Sequence, residues 1–419
     1  MDVNQLERSP ALSSNSTERL PAIATPVDRW SLTQIKRGLS SAPIRLVLWD
    51  GFALSPAGPP VASLTFQSRG ALFGCAWDPQ LYFGEGYMSG ALQVHGDLLA
   101  LLEAIYRALG PRTRRSWWPW QRANGTLKAK ANVHHHYDLG NDFYRRWLDR
   151  EMVYTCAYFP APDATLEEAQ IAKMDLVCRK LRLAPGEHVI EAGCGWGSLA
   201  LFMARRYGVT VQAFNLSSEQ IAYARRRAAE EGMADRVEFV EDDYRSVRGT
   251  CDAFVSVGML EHVGVENYPA LGAVIDRSLD PEHGRGLLHF IGRDQPRPFN
   301  NWIRRRIFPG AYPPALGEAI SGVLEPARVS VVHVENLRND YARTLAHWRE
   351  RFERSAEVVT ERYGGEFTRA WRLYLAGSEA AFRGGSLQLF QVLFARAGSE
   401  HLGRHEESTA PPAAQRPAS

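Results

Sequence analysis

Apolar and polar positions follow two periods along this chain, and through its middle the two alternate. EHVIEA, VTVQAF, VEFVEDDY, CDAFVSVGM and GRGLLHFIG read as strands, between 187 and 292. SLALFMARRYG, SSEQIAYARRRAAEEG and ENYPALGAVIDRSL read as helices between them. Strands alternating with helices of this length predict an α/β domain with a doubly wound, Rossmann-like parallel sheet, with ligands at the carboxyl ends of its strands. VSVVHVENL resumes the strand pattern at 329–337, long helices follow over 340–363 and 367–382, and SLQLFQVLFAR is a last strand. Ahead of this block, TLEEAQIAKMDLVCRKLRL is a helix with Thr165 as N-cap and Glu168 as its capping-box partner.

The first third is patterned differently. Residues 1–27 are rich in Ser, Pro and Thr without periodicity and read as a tail. Residues 28–110 read as a small α+β domain. It has a short helix at 31–38, strands at IRLVLWDG, VASLTFQS and GALFGCAW, and an amphipathic helix carrying Leu98, Leu99, Leu101, Leu102, Ile105 and Leu109. Residues 111–130 place Trp117, Trp118 and Trp120 among basic residues, as a linker or, second, as a segment contacting lipid headgroups. The main domain spans 131–397, opening with short helices in ANVHHHYDLGNDFYRRWLDREMVYTCAYF, and 398–419 is a polar Pro/Ala-rich tail.

Composition changes this picture little. Two domains suit 419 residues, and 45% hydrophobic with 23% charged residues is a globular balance. A net charge of +2 selects no partner. Five scattered cysteines without zinc-type spacing point to a reduced compartment. No signal-peptide pattern and no run long enough to span a bilayer is visible, so any lipid is met from the side.

Candidate chemistry begins at EHVIEAGCGWG, a strand running into a Gly-rich turn and a helix. Glycines permit the turn and the close approach of a ligand, and the first helical turn offers unpaired N–H groups. The spacing GCGWG is not the dinucleotide spacing, and Glu191, two residues before Gly193, would repel a pyrophosphate. A carboxylate there suits a ligand with a cationic centre, such as the ammonium or sulfonium of S-adenosylmethionine. The next strand ends on Asn215, where an acid for ribose hydroxyls is usual, and Asp242 and Asp243 end the strand after it, placed for an adenine amino group.

Taken together, GCGWG, NLSSEQ, DDYR, SVGMLEHVG, LLHFIG and YTCAYF resemble the cyclopropane-fatty-acyl-phospholipid synthase family, related to mycolic acid cyclopropane synthases, from about His135 to Phe394. The resemblance implies a class I methyltransferase fold and an S-adenosylmethionine-dependent transfer of a methylene to a cis double bond of phospholipid acyl chains. It also implies cofactor contacts at Tyr154, Thr155, Gly193, Gly195, Gln220, Asn215 and Leu216, beside Glu191, Asp242 and Asp243. It implies a bicarbonate ion as base, held at Cys156, Glu261, His289 and Tyr341. The partners it implies are unsaturated phospholipids of a membrane surface and a second copy of the chain, without nucleic acid or metal, at the cytoplasmic face of a membrane.

The chemistry asks for such a set independently. An unactivated alkene is a weak nucleophile, its attack on the sulfonium methyl leaves a carbocation, and closing the ring requires a base and the exclusion of water. His289 and Tyr341 can donate to an oxyanion, and Glu261 can accept a proton or set the tautomer of His289. Cys156 lacks an activating partner, so a backbone or wall role fits it better than nucleophilic catalysis. Ser378 stands where some family members carry a Cys, so that thiol is not essential here if the activity is kept. A sister reaction on the same alkene, methylation without ring closure, remains open, as does a non-catalytic lipid-binding protein. Arg304, Arg305 and Arg306, flanked by Trp302, Ile303, Ile307 and Phe308, suggest a headgroup-binding loop.

Overall fold

Four short strands form the first sheet: β1 (Ile44–Leu48), β2 (Ala53–Leu54), β3 (Ala62–Phe66) and β4 (Leu92–Gly96), in the order β2-β1-β3-β4. In the computed structural model of the chain the described residues are 23–39, 41–109 and 139–399. The tail at 1–22, the tryptophan-rich linker and the C-terminal tail from 400 lie outside them. Alternate residues Ile44, Leu46 and Leu48 of β1 are buried, as are Ala62, Leu64 and Phe66 of β3. The helix Pro26–Gly38 starts earlier than its periodicity suggested, because Thr25 and Asp28 form a capping box. GALFGCAW is a helix, Arg69–Trp77, not a strand. Ser68 caps it, and Ala71, Leu72 and Cys75 are its buried side, a spacing too short for periodicity to separate from a strand. The helix Pro79–Ser89 and β4 were not read from the sequence at all.

The chain divides into two compact units between Asp97 and Leu98. The amphipathic helix Leu98–Leu109 therefore belongs to the second unit, although the pattern had placed it at the end of the first. It packs against the helix Gly365–Arg383, where Arg383 meets Glu103 at 3.4 Å.

The second unit carries seven strands: β5 (His188–Ala192), β6 (Thr210–Asn215), β7 (Val237–Glu241), β8 (Ala253–Val257), β9 (Arg285–Gly292), β10 (Ser330–Asn336) and β11 (Gln388–Ala395). Their order is β10-β11-β9-β8-β5-β6-β7. β11 runs antiparallel to both β9 and β10, and the other pairings are parallel, so the sheet is mixed where an all-parallel one was expected. Three helices separate β10 from β11. The last ends at Arg383, capped by Gly384, and Gly385, at φ +72°, returns the chain into the gap between β10 and β9.

Helices cover both faces. Met174, Val177, Leu199, Leu201 and Ile221 pack on one, and Leu271, Val274, Ile275, Val323 and Leu324 on the other. Thr165 and Glu168 form the expected capping box of Leu166–Lys180. The expected helix over 340–363 is two, Arg338–Arg354 and Ala356–Tyr363. They part at Ser355, whose hydroxyl donates back to the Phe352 carbonyl at 3.0 Å. Strand order reverses at β5, between β6 and β8, and the crevice above their carboxyl ends is where such sheets bind ligands. All five cysteines are buried and unpaired, and no described helix is long and apolar enough to cross a membrane.

Candidate active site

A cavity opens at that crevice. Tyr154, Thr155, Glu191, Gly193, Gly195, Asn215, Leu216, Gln220, Asp242 and Asp243, the residues singled out for the cofactor, all line it. β5 delivers Glu191 to the head of the Gly-rich turn, and the helix Ser198–Tyr207 follows. Gly193, at φ +87°, donates its N–H to the Phe214 carbonyl at 2.9 Å. A Cβ at Gly193 would lie 2.9 Å from Met259 Cβ, and one at Gly197 2.6 Å from the Phe239 ring. The turn is thus wedged between β6 and the segment after β8, and only glycine fits there.

Hydrogen bonds sort the acids and amides. Asn215 donates to the Gly195 carbonyl at 3.2 Å and to Gln220 Oε1 at 2.8 Å, while its Oδ1 accepts from the Leu216 N–H at 2.8 Å. Its side chain thus ties the turn to the next helix while still lining the cavity. Asp243 is buried against Arg245, Oδ1 to Nε at 2.7 Å, and caps the turn Tyr244–Ser246. Asp242 is exposed at the cavity wall. Of the two acids, Asp242 is the one placed to meet a ligand.

Glu191 is buried, and its Oε2 has no hydrogen-bond partner among the described residues. Burial pushes its carboxyl up to about 8, against the opposing pull of Lys173 and of the Ala200 N–H in the first turn of the next helix. Lys173, also buried, donates to Thr155 Oγ1 at 2.9 Å, and burial brings it down to about 8. A cationic ligand beside Glu191 favours its ionised form, so below about pH 8 binding expels a proton. S-adenosylmethionine affinity should then rise as pH increases from 6 toward 8, and calorimetry in buffers of different ionisation enthalpy should detect the released proton. An affinity independent of pH would place no titration at Glu191.

Cys156, Glu261, His289 and Tyr341 are buried as well, but they do not line the cavity; the first three adjoin residues that do, and Tyr341 is one ring further back. Cys156 follows Thr155. Glu261 sits between Met259 and His262, both lining, in the short helix Leu260–Val263 after β8. His289 on β9 pairs with Val257, and its carbonyl accepts from the Gly258 N–H at 2.8 Å. The Tyr341 ring packs on Trp348 at 5.9 Å, which packs on Tyr154 at 5.2 Å. The Cys156 thiol donates to the Ala157 carbonyl at 3.0 Å, and burial drives it far above the usual thiol range, which removes it as a nucleophile.

Glu261 and His289 share one feature. Glu261 Oε1 accepts from the Ile291 N–H, while Oε2 is buried without a partner among the described residues. Burial raises the Glu261 carboxyl to about 7. His289 Nδ1 meets Gln391 Nε2 at 3.0 Å, and Nε2 is likewise buried and unpartnered among the described residues. The expectation that Glu261 sets the His289 tautomer is replaced: Gln391 holds that ring nitrogen. Two orphaned polar atoms, one an acceptor and one a ring nitrogen, are what a small protonated oxyanion needs for its hydroxyl and an oxygen.

The arginine segment forms the helix Asn301–Arg306, capped by Asn300. Trp302 and Ile307 are buried, so this apolar part anchors the segment to the protein, while Arg305 is exposed. Phe308 stands edge-on to His262 at 5.5 Å and to Tyr374 at 5.6 Å, and the Tyr374 hydroxyl meets that of Tyr154 at 2.7 Å. Ser378 is half-buried on the helix Gly365–Arg383. Lys173, Lys180 and Gln391 were not singled out from the sequence. The signal was there: Gln170, Lys173 and Lys180 interrupt the buried stripe of Leu166–Lys180, where apolar residues belong.

Comparisons with known proteins agree with this geometry. The family model described as mycolic acid cyclopropane synthetase matches residues 125–392, and a domain of unknown function matches 32–115. A probable fatty acid methyltransferase of Pseudomonas putida is 38% identical, over 86% of this chain and 94% of its own. The cyclopropane-fatty-acyl-phospholipid synthase of Escherichia coli (strain K12) is 42% identical, over 62% of this chain and 66% of its own. A solved structure of the mycolic acid cyclopropane synthase CmaA1 complexed with SAH and CTAB is 30% identical, covers 64% of this chain and 98% of its own, and superposes with a TM-score of 0.60.

Proposed function

Because the chain belongs to the mycolic acid cyclopropane synthetase family of S-adenosylmethionine-dependent methyltransferases, we propose that it adds a methylene across the cis double bond of unsaturated phospholipid acyl chains. The observation that carries this is the pair of buried, unpartnered polar atoms, Glu261 Oε2 and His289 Nε2, directly behind a cavity with a carboxylate, Glu191, for a cationic cofactor. Methyl transfer to nitrogen or oxygen also releases a proton, but that proton can pass to water. Transfer to an alkene leaves a carbocation that water would trap, so its proton must go to a base shielded from water.

In this reading Glu191 faces the ammonium or sulfonium of the cofactor, Gly193 and Gly195 let it approach the backbone, and Gln220 and Asp242 take its ribose and adenine. Tyr154 and Thr155, lining the same cavity, contact the cofactor as well. The alkene π pair attacks the sulfonium methyl, the C–S pair returns to sulfur, and a carbocation remains on the chain. Loss of a proton from the added methyl lets that C–H pair close the ring. A bicarbonate ion held at Cys156, Glu261, His289 and Tyr341 would supply the base. Neutral His289 would donate from Nε2 to it, and Glu261 would receive its hydroxyl proton. Tyr154 lines the cavity, and Trp348 and Tyr341 packed behind it form an aromatic backing that helps keep water out.

A second reading has its own support. The relative from Pseudomonas putida, matching nearly the full length of both chains, is named a probable fatty acid methyltransferase, which suits a branched product without a ring. Incubating the protein with S-adenosylmethionine and vesicles containing a cis-monounsaturated phospholipid separates the two. Cyclopropanation gives acyl chains heavier by one CH2, without olefinic protons and with the upfield signals of a ring. A chain of the same mass that keeps an olefinic signal supports the second reading, and no mass change on any unsaturated lipid sinks both.

A further inference from the structure

We propose that Lys180 and Gln391 are positioning residues that hold the proton of His289 on Nε2, making that nitrogen the hydrogen-bond donor of the site. The proposal rests on the catalytic reading of His289 and adds to it the device that sets its protonation.

Sheet register builds the device. Glu335 of β10 pairs with Gln391 of β11, and Gln391 pairs with His289 of β9, so the three stand in one row across adjacent strands. Leu287 and Leu393, two residues along from His289 and Gln391, belong to the apolar layer under the helix Leu166–Lys180. Lys180, at the end of that helix, reaches down to the row. Its Nζ donates to Gln391 Oε1 at 2.6 Å and pairs with Glu335. Lys180, Gln391 and His289 are all buried.

Donor and acceptor types then leave one arrangement. An ammonium only donates, so the oxygen of Gln391 faces Lys180 and its nitrogen faces His289. That amide nitrogen lies 3.0 Å from His289 Nδ1, and it too only donates. Nδ1 must therefore be an unprotonated acceptor. Burial and the charges of Lys173 and Lys180 hold the imidazole far below its usual pKa, so it is neutral and carries a single proton. That proton is on Nε2, the atom left without a partner among the described residues. A row kept only for packing would be as stable, or more so, with an apolar side chain at position 180, since burying Lys180 carries a desolvation cost.

The test reads the tautomer directly and turnover separately. In protein labelled with 15N-histidine, His289, assigned by loss of its signal in His289→Ala, should show a pyridine-type Nδ1 and a pyrrole-type Nε2. In Gln391→Glu the new carboxylate can only accept at that point, so the proton should move to Nδ1. kcat should then fall by at least roughly tenfold while S-adenosylhomocysteine affinity stays within about twofold. Should that variant fail to fold, Lys180→Met keeps the aliphatic stem and frees the amide to turn over, and it should give mixed tautomers with a smaller loss of kcat. A wild-type His289 protonated on Nδ1 overturns the proposal, as does a swapped tautomer in Gln391→Glu with undiminished kcat. If the tautomers behave as stated but His289→Ala turns over normally, the positioning stands and the catalytic reading of His289 falls instead.

Discussion

Replacing His289 with alanine should lower turnover by roughly a thousandfold, the span expected when a group that orients or accepts a transferring proton is removed. S-adenosylhomocysteine affinity should stay within about twofold, because His289 lies behind the cavity wall and does not line it. The substitution also strands Gln391, whose amide would face a void, so some loss of stability accompanies it. That effect is separable: a melting temperature lowered by several degrees with cofactor binding intact still leaves the loss of kcat to be explained by chemistry. Loss of cofactor affinity in step with turnover would make His289 a structural residue of β9. Comparing single-turnover rates with equilibrium binding on the same preparation decides between these.

Gly193→Ala should damage the other half of the site. The φ of +87° costs a non-glycine residue about 1–3 kcal/mol, and the added Cβ would stand 2.9 Å from Met259 Cβ. Relief requires the turn to move away from the segment after β8, and with it the Gly193 and Cys194 amides that both reach the Phe214 carbonyl. Cofactor affinity should drop by roughly tenfold to a hundredfold, equivalent to about 1.4–2.8 kcal/mol. Gly195→Ala is the internal control. Its φ of +53° carries similar strain, yet nothing lies within 4 Å of the added Cβ, so its loss should be smaller. Equal affinity in Gly193→Ala and the parent, by titration calorimetry, would mean the wedge against Met259 does not shape the cavity.

What could be read from the chain differed between its halves for a physical reason. The strands β5 to β9 are apolar runs separated by long amphipathic helices, and each period is sustained long enough to be unambiguous. GALFGCAW misled because its buried residues fit a short helix turn as well as a strand. The direction of β11 was not legible, since antiparallel and parallel strands share one period and only the path through three preceding helices decides it. The lining of the cavity followed from motifs at strand ends, where the fold itself gathers ligands. Gln391 and Glu335, and the role of Lys180 beside them, were not legible because they lie in cross-strand register and at one helix end. Those residues are about 150 to 210 positions apart at their widest, and a local pattern carries no such pairing. Asn215 was placed at the cavity by its strand end, while the bonds by which it also ties the turn to the next helix could be seen only in the fold.

The most direct test follows the transferred carbon itself. With S-adenosylmethionine bearing a trideuterated methyl group and a cis-monounsaturated phospholipid, ring closure removes one deuteron from the added methyl. The product should therefore retain two deuterons on the new carbon, with no olefinic signal left in the chain. A product that keeps all three deuterons would show that no proton leaves the transferred methyl, and would contradict cyclopropanation by this site.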